Sequence, residues 1–557
     1  MVVRRGIIML RAISGLRENL RAGKKYNVVV VGGGITGAAA SLACARRGWS
    51  VLVVDQNDLA PETSANSTGL LHGGARYAEE LQFRMVLEGI KGRQAFREAA
   101  PHLVRPFSYC VPALPEGAHS YRAMQAGRWL YDLTRPLGLS SFPAGRTLTS
   151  DEMLAEGIPF EADGFKGGSF FWDGMTDDHR LALEVLSTAA SHGAHIISRL
   201  KCTDFLPSGA APVEGVVLRD QLSSEVFIVP ADRVVNAAGP WADDLLKMSR
   251  AGSEKHLRLD AGSHLIVRNF FDYTLPYGFF LEFADKRLVF LIPYRGNLLI
   301  GTTSEGEKES KEWLSPAKAE VDYLLAGVNA YFPRAKLTPA DVIFGFTAHR
   351  PLFDDPDAKN ADSLSRRHAI RVSPAGVVSV FGGKITPALL IGEEVAQKIA
   401  SLQGWNFEQL PLSLPLFGGG MADFPRYLPE ESKFLAVKYS VEEKLARYLI
   451  LTYGTRAEKV LEYTRGNEEM KLRLSPRFPA IAAQVAYAVE AEMAFTLTDV
   501  LSRRIRLERQ AGNGLKALGT VGRIMSMLLG TGFSEMKYQE RAYRERIRRG
   551  RVFELPG

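Results

Sequence analysis

Tyr26-Asn27-Val28-Val29-Val30-Val31-Gly32-Gly33-Gly34-Ile35-Thr36-Gly37-Ala38-Ala39-Ala40 leads through a helical stretch to Val51-Leu52-Val53-Val54-Asp55. Val28 to Val31 is a short, β-branched, apolar run of the kind found in parallel strands covered on both faces. Gly32, Gly34 and Gly37 follow at G-x-G-x-x-G spacing. The first glycine permits a tight turn, the second lets a pyrophosphate approach the backbone, and the third lets the next helix lie close to the strand. Ala38 to Arg47 reads as that helix, its positive N-terminal end aimed at phosphates, and Gly48 ends it. Val51 to Val54 is a second strand, with Asp55 at its tip to hold a ribose hydroxyl. Strand, glycines, helix, strand and acid in this order predict a dinucleotide site with Gly32, Gly34, Ile35, Thr36, Gly37 and Asp55 as its candidate contacts.

Outward from this unit, 557 residues are enough for roughly two to four domains. Hydrophobic residues make up 46%, an ordinary globular share that supplies a large core. A net charge of +7 admits phosphorylated substrates, anionic lipid or nucleic acid as partners without choosing among them. Cys44, Cys110 and Cys202 are far apart and form no C-x-x-C. That speaks against a structural zinc, an iron–sulfur cluster or a disulfide framework, suits a reducing compartment, and leaves no metal expected. No apolar run of ~18 residues occurs, so no membrane-crossing helix is expected.

The N-terminal stretch has two readings. Residues 4–25 carry Arg4, Arg5, Arg11, Arg17, Arg21, Lys24 and Lys25, with Leu10, Ile13, Leu16 and Leu20 near helical spacing. One reading is a basic amphipathic helix on an anionic membrane. The other is a loose leader upstream of a start at Met9. No secretory signal is expected, because the apolar part is short and lacks a cleavage site.

Glu62 to Tyr77 is rich in small and hydroxyl residues, then glycines, then Arg76-Tyr77. Such a stretch either lets backbone approach a flat ring while offering hydrogen bonds or is an ordinary loop. Phe83 to Ala100, residues 150–156 and Asp177 to His192 read as helices, with Thr149 or Ser150 capping the second. Ala194 to Ser198, Gly215 to Leu218 and Val226 to Val229 read as strands. Arg233-Val234-Val235-Asn236-Ala237-Ala238-Gly239 repeats the strand-into-glycine pattern and adds Gly239. Residues 255–345 read as a mostly antiparallel sheet, through Ser263–Val267, Arg287–Ile292 and Leu298–Thr302. Val377 to Phe381 is again a strand, followed by the glycines and helix start of Gly382-Gly383-Lys384-Ile385-Thr386. A helix from Pro387 to Leu402 follows. The Pro/Gly-rich 411–429 reads as a linker. Helical segments at 430–437, 441–452, 456–465, 479–505 and 512–546 predict a helical C-terminal domain. The organisation expected is α/β. A Rossmann-like nucleotide-binding domain (about 26–100, 175–250 and 346–410) is interleaved with an antiparallel-sheet substrate domain (about 101–174 and 251–345), and an all-α cap spans 430–557.

The glycine fingerprint, Leu71-His72-Gly73-Gly74-Ala75-Arg76-Tyr77, Asn236-Ala237-Ala238-Gly239-Pro240-Trp241, Gly262-Ser263-His264, Ile292-Pro293-Tyr294, Ile300-Gly301-Thr302-Thr303, His349-Arg350-Pro351-Leu352, Ser363-Leu364-Ser365-Arg366 and Gly382-Gly383-Lys384-Ile385-Thr386 stand in that order. Together with Leu497-Thr498-Asp499-Val500-Leu501-Ser502-Arg503-Arg504, they resemble the FAD-dependent glycerol-3-phosphate dehydrogenases over residues 26 to about 540. Departures from the family pattern are Gly69 and Ala261, where it carries lysines, and Pro387-Ala388, where it carries a tyrosine-containing stretch.

The resemblance implies FAD as cofactor and oxidation of glycerol 3-phosphate at C2 to dihydroxyacetone phosphate. It implies electrons passed to a membrane quinone by a peripheral protein at the cytoplasmic face of the inner or plasma membrane. By the same resemblance Ser67, His72, Gly73, Gly383, Lys384, Ile385 and Thr386 join the cofactor candidates. It also implies Arg76, Tyr77, Arg350, Arg366 and Lys384 as substrate contacts, where planar guanidinium forks suit a phosphate. His264 is the preferred general base, with His349 and His72 as rivals, and Arg350 can polarise the hydroxyl. A homodimer is left open. Two other readings are an FAD enzyme acting on a small amine or 2-hydroxy acid and a flavin-containing nucleic-acid-binding protein. No basic–aromatic motif supports the last, so no nucleic acid is expected.

Overall fold

The computed structural model describes residues 15–73, 83–113, 121–132, 141–158, 165–207, 212–249, 255–306, 315–354 and 367–551. The valine run becomes the strand Tyr26–Val31 inside an eight-stranded sheet. From one edge this sheet runs His368–Val372, Val378–Gly382, Val226–Asn236, Tyr26–Val31, Val51–Asp55 and His195–Ser198. Tyr26–Val31 is parallel to both neighbours, with Val31 opposite Asn236 on one side and Val54 on the other. This places the ends of three strands beside one another, where an open parallel sheet binds its ligand. Helices Ile35–Ala45, Asp178–Ser191 and Ala388–Gln403 cover one face with Ala39, Leu181 and Ile391. Val29, Leu52 and Leu246 lie in the core of the other face.

Val226–Val229 and Arg233–Asn236, read apart in the sequence, are one long strand, Val226–Asn236. Its first half leaves the parallel sheet to pair antiparallel with Gly215–Asp220. That strand in turn pairs with Leu200–Leu206, whose alternating polar pattern hid it.

The second sheet has nine strands and is mostly antiparallel, as expected. It runs Val342–Phe353, Leu257–Val267, Asn297–Gly301, Leu288–Tyr294, Tyr277–Glu282, Arg105–Pro112, Gly167–Met175 and Leu70–Leu71, with Arg146–Thr149 on Gly167–Met175. One pair is parallel, Tyr277–Glu282 beside Arg105–Pro112. The boundary expected at 345/346 falls inside the strand Val342–Phe353, and Leu70–Leu71 belongs to this sheet, not the nucleotide unit. Both strands thus belong to the second sheet, with Arg350 on the first and His72 directly after the second. Helix Lys318–Tyr331 packs on one face through Leu324 and Val328. The other face, with Ile266, Phe344 and Phe346, meets the C-terminal helices.

Those helices are Phe424–Tyr439, Glu443–Tyr453, Ala457–Leu461, Ala483–Glu492, Leu518–Leu529 and Phe533–Arg549. The first begins inside the expected linker because Asp423 caps it, its side chain accepting from Arg426 N at 3.2 Å. The expected helices 479–505 and 512–546 are both broken. Left-handed Met493 (φ 55°) ends the former and left-handed Gly530 (φ 68°) splits the latter.

Residues 15–21 are helical, but their apolar stripe does not face outward. Leu20 is buried and Leu16 packs against the nucleotide-sheet core. Arg17 donates to Asp220 at 2.8 Å and Arg21 to Glu225 at 2.7 Å. The membrane-lying helix therefore does not extend to this turn, whose hydrophobic face is spent on the protein itself. Leu10 and Ile13 lie outside the described residues.

Candidate active site

A cleft of about 2320 Å³ is lined from both sheets, by Gly32, Gly34, Ile35, Thr36, Asp55 and Lys384 from the nucleotide sheet's strand ends and by His264 and Arg350 from the second sheet. Pockets for single drug-sized ligands hold roughly 300–1,000 Å³, so this cleft has room for an extended dinucleotide and a substrate together.

The nucleotide end follows from the glycines. A Cβ on Gly32 (φ +113°) would stand 2.3 Å from Ala237 O, and one on Gly37 would stand 1.9 Å from Gly32 O. Neither position admits a side chain, and the helix Ile35–Ala45 can begin directly over the strand end. Ser64 Oγ accepts from Ile35 N at 3.0 Å, covering one free amide of the first turn. Asp55 accepts from Gly33 N and from Asn57 N, each at 2.9 Å. Burial lifts its carboxyl to about 6 despite those two amides. Asn236 ties the neighbouring strand end to the next turn, donating to Ala242 O at 2.8 Å and accepting from Ala238 N at 3.3 Å. Gly239 (φ +54°) lines the same end.

Helix Phe83–Ala99 brings two further segments together. A Cβ on Gly89 would stand 3.1 Å from Gly73 O, and one on Gly92 would stand 2.3 Å from Thr386 O. One glycine-faced helix thus backs both the His72–Gly73 turn and the Lys384–Thr386 turn. Gly73 N donates to the buried Asp173 at 2.8 Å, and Asp173 is paired with buried Arg93. Gly382 (φ +70°) and Gly383 (φ +95°) turn the chain so that Lys384 and Ile385 line the cleft. Thr386 is buried behind them and lines it as well.

His264 stands on Leu257–Val267 directly opposite Gly301. A Cβ on Gly301 would fall 2.4 Å from the His264 ring, so this glycine makes the imidazole's berth. The ring stacks on Phe346 with centroids 5.0 Å apart, and its Nε2 is 2.9 Å from Thr68 Oγ1. Its Nδ1 has no hydrogen-bond partner among the described residues. Burial, then the charges of Arg350 and Arg509, hold the imidazole neutral down to about 3.

Arg350 faces Asp260 across the strand pair and donates to it through Nη1. Its Nη2 reaches Thr302 Oγ1 at 2.8 Å and Thr303 O at 2.6 Å. The guanidinium fills the space over Gly262, where a Cβ would stand 2.0 Å from Nη2. His72 lines the cleft, whereas His349 is buried in Val342–Phe353, its carbonyl accepting from Thr63 Oγ1 at 2.7 Å.

The expected residues Gly32, Gly34, Ile35, Thr36, Asp55, Ser67, His72, Gly239, His264, Arg350, Gly383, Lys384, Ile385 and Thr386 therefore line one cleft. Gly37 and Gly73 stand behind it as packing and hydrogen-bonding positions. Arg76, Tyr77 and Arg366 lie outside the described residues. Arg367, the residue after Arg366, lines the cleft, as do Arg258, Asp260 and Thr68. The Arg366-Arg367 pair was visible in the sequence. Asp260 and Thr68 carry no signal of their own and are found only through the strand register and the hydrogen bond to His264.

The departures also have physical reasons. Gly69 has φ +72°, and a Cβ there would stand 2.7 Å from Thr176 O, so a lysine would be strained. Ala261 is fully buried. Ala388 opens the helix Ala388–Gln403 and is fully buried too.

The far wall is braced from the C-terminal part. Arg503 and Arg504 pair with Asp58, Arg506 with Asp177 and Asp178, and Arg199 with Asp499. Burial works against the charge on Asp58, but Arg504, Arg503 and Arg199 hold its carboxyl below the usual range. Arg504 Nη1 stands 3.3 Å from His179 Nε2, and burial together with Arg504 and Arg506 keeps that imidazole neutral.

Comparison with known proteins places this geometry. A family model described as FAD dependent oxidoreductase matches residues 27–398, and one described as the C-terminal domain of alpha-glycerophosphate oxidase matches 412–535. The glycerol-3-phosphate dehydrogenase of Synechocystis is 33% identical over 495 residues, covering 86% of this chain and 88% of that one. The aerobic glycerol-3-phosphate dehydrogenase of Staphylococcus haemolyticus is 30% identical over 501 residues, covering 88% of each. Among solved structures, the glycerol-3-phosphate dehydrogenase from Bacillus halodurans complexed with FAD superposes with a TM-score of 0.79 at 27% identity, covering 96% of this chain and 97% of that one. By sequence over nearly its whole length, and by fold in both its α/β and helical parts, the chain belongs to the FAD-dependent glycerol-3-phosphate dehydrogenases.

Proposed function

We propose that the protein binds FAD and oxidises sn-glycerol 3-phosphate at C2 to dihydroxyacetone phosphate. One observation carries the reading: the cleft whose glycine turn and Asp55 suit a dinucleotide is also lined by His264, Arg350 and Lys384. The relatives' names supply the substrate. The residues fit the cofactor, because Gly34 lines the cleft with bare backbone where a pyrophosphate approaches, Gly32 and Gly37 let the helix begin directly over the strand end, and Asp55 stands at the strand tip where the ribose belongs. FAD, when bound, supplies the hydride acceptor.

The chain's own residues do the rest. Lys384, Arg350 and the neighbouring Arg367 form a cationic wall for the phosphate. Arg350 has its Nη1 on Asp260 and its Nη2 on Thr302 and Thr303, so it is a cation whose direction is fixed. His264 takes the hydroxyl proton. Held neutral to about 3 by burial and then by Arg350 and Arg509, its imidazole is a weak base. A phosphate dianion beside Arg350 offsets that arginine's share of the lowering and makes the imidazole a better base. The Thr68 hydroxyl on Nε2 fixes the ring and offers a path for the proton.

The electron acceptor we propose is a membrane quinone, reached at the cytoplasmic face of the inner or plasma membrane. What supports this is the resemblance to the quinone-linked branch. No helix among the described residues is long and apolar enough to cross a membrane. A homodimer fits the same resemblance.

The test is anaerobic mixing of the purified protein with glycerol 3-phosphate, lactate or an amino acid while flavin absorbance is followed. Bleaching by glycerol 3-phosphate alone supports the reading. Bleaching by an amino acid or lactate and not by the phosphoester transfers the protein to the amine or hydroxy-acid enzymes.

A further inference from the structure

Four arginines within residues 503–509 reach out of the helical part to the strap 58–68 that lines the cleft. Arg503 and Arg504 take Asp58. Arg506 donates to Ala65 O at 2.7 Å and to Asp178, whose other oxygen accepts from Ser67 N and Ser67 Oγ at 2.8 Å. Arg509 goes furthest. Its Nη2 donates to Ala65 O at 3.0 Å and to Asn66 Oδ1 at 2.7 Å, and its guanidinium carbon lies 3.9 Å from the centre of the Phe346 ring. The same ring is stacked on His264 with the two planes only 10° apart. Thr68, which meets His264 Nε2, is two residues beyond Asn66. Arg509 therefore grips both things that orient this imidazole: the ring it stacks on and the turn that carries its hydroxyl partner.

We propose that Arg509 is a positioning residue for oxidation at this site, setting the orientation of His264 through Phe346 and the 65–66 turn. The proposal rests on the reading of His264 as proton acceptor and places part of the reaction's geometry under control of the C-terminal domain. Arginine suits the task because its plane lies flat on an aromatic ring while its edge donates to two acceptors, which an ammonium cannot do at once. Small losses of alignment are costly, since displacement by ~1 Å can cost on the order of 10²-fold in rate.

The test uses the FAD-loaded full chain and follows flavin reduction by glycerol 3-phosphate, substrate Kd and thermal midpoint. Arg509→Met is expected to slow reduction at saturating substrate at least about tenfold and to leave substrate Kd within about threefold. Arg509→Lys regains only part of the rate. In a His264→Asn background, Arg509→Met slows reduction by less than about twofold further, because both changes act through one group. A crystal structure of Arg509→Met shows the His264 ring turned or its hydrogen bond to Thr68 broken.

An Arg509→Met rate within twofold of wild type overturns the proposal. So does an equal slowing in the His264→Asn background, or an unmoved His264 in the crystal. If His264→Asn itself reduces flavin at the wild-type rate, the proton-acceptor reading falls, and the crystal alone decides the placement. Should Arg509→Met not fold, Phe346→Leu removes the stack and leaves the cation. It is expected to slow reduction about tenfold, and an unchanged rate with His264 in place overturns the proposal.

Discussion

Arg350 and Asp260 face each other across the pairing of Leu257–Val267 with Val342–Phe353, and the guanidinium donates to the carboxylate. Asp260 also accepts from Ser304 Oγ at 2.8 Å and from Gly306 N at 3.2 Å. It is thus an anchored acid holding an anchored base, and Arg350 is aimed before any substrate arrives. Asp260→Asn keeps the shape and loses the charge. It is expected to lower kcat about tenfold, with a smaller change in substrate Kd. Arg350→Ala is expected to raise substrate Kd and slow flavin bleaching together, by about 2–4 kcal/mol of transition-state stabilisation. Unchanged single-turnover kinetics in either variant would remove the pair from the reaction.

Gly37→Ala tests the nucleotide turn. The new methyl would have to enter a space 1.9 Å from Gly32 O, so either strand or helix must move. Overpacking of this kind costs roughly 1–3 kcal/mol or more, and it distorts the segment where the pyrophosphate belongs. The variant is expected to purify colourless and to take up FAD poorly. A yellow protein with normal FAD affinity would contradict the assignment.

The pH dependence separates two groups. His264 must be neutral to accept a proton, and burial with Arg350 and Arg509 holds it so down to about 3. Its titration is therefore expected to add no break to kcat/KM between pH 8 and about pH 4, the break at about pH 6 belonging to the substrate's phosphate, whose second ionisation lies there. Asp55 has its carboxyl raised by burial to about 6 and must be charged to accept ribose hydroxyls fully. FAD affinity is expected to weaken as pH falls through about 6, approaching a tenfold loss per pH unit below it. Equilibrium titration of the apoprotein with FAD at several pH values measures this, and Asp55→Asn should abolish the slope.

The N-terminal turn belongs to the nucleotide unit. Leu20 is buried against it, with Arg17 and Arg21 paired to Asp220 and Glu225. Leu20→Ala is expected to destabilise the fold by about 2–5 kcal/mol, seen as a lower thermal midpoint. An unchanged midpoint would mean the packing contributes nothing.

Much of this was legible in the sequence because local rules and tertiary needs coincide. The valine run, the three glycines and Asp55 each have a local reason for their place, and the structure puts them at one strand end. Lys384 came from the resemblance, and the two left-handed glycines before it explain how it is turned into the cleft. His264 and Arg350 came from motif order, and no local pattern reveals that they sit on adjacent strands. Asp260, Thr68 and Arg509 were not legible. Their importance depends on register, on a single hydroxyl hydrogen bond and on a buried stacking pair 163 positions apart, from Phe346 to Arg509. The C-terminal helices were foreseen as helices but misjudged in length, because Met493 takes a left-handed conformation that nothing in its neighbourhood announces.

The central claim is that one cleft holds the flavin ring against a wall that fixes a small phosphoester by Lys384, Arg350 and Arg367. A crystal of the FAD-loaded protein soaked anaerobically with glycerol 3-phosphate tests it most directly. The account predicts the phosphate among those cations and the C2 hydroxyl beside Thr68 and His264. An ester bound outside the cleft, or a phosphate with none of the three side chains near it, would contradict it.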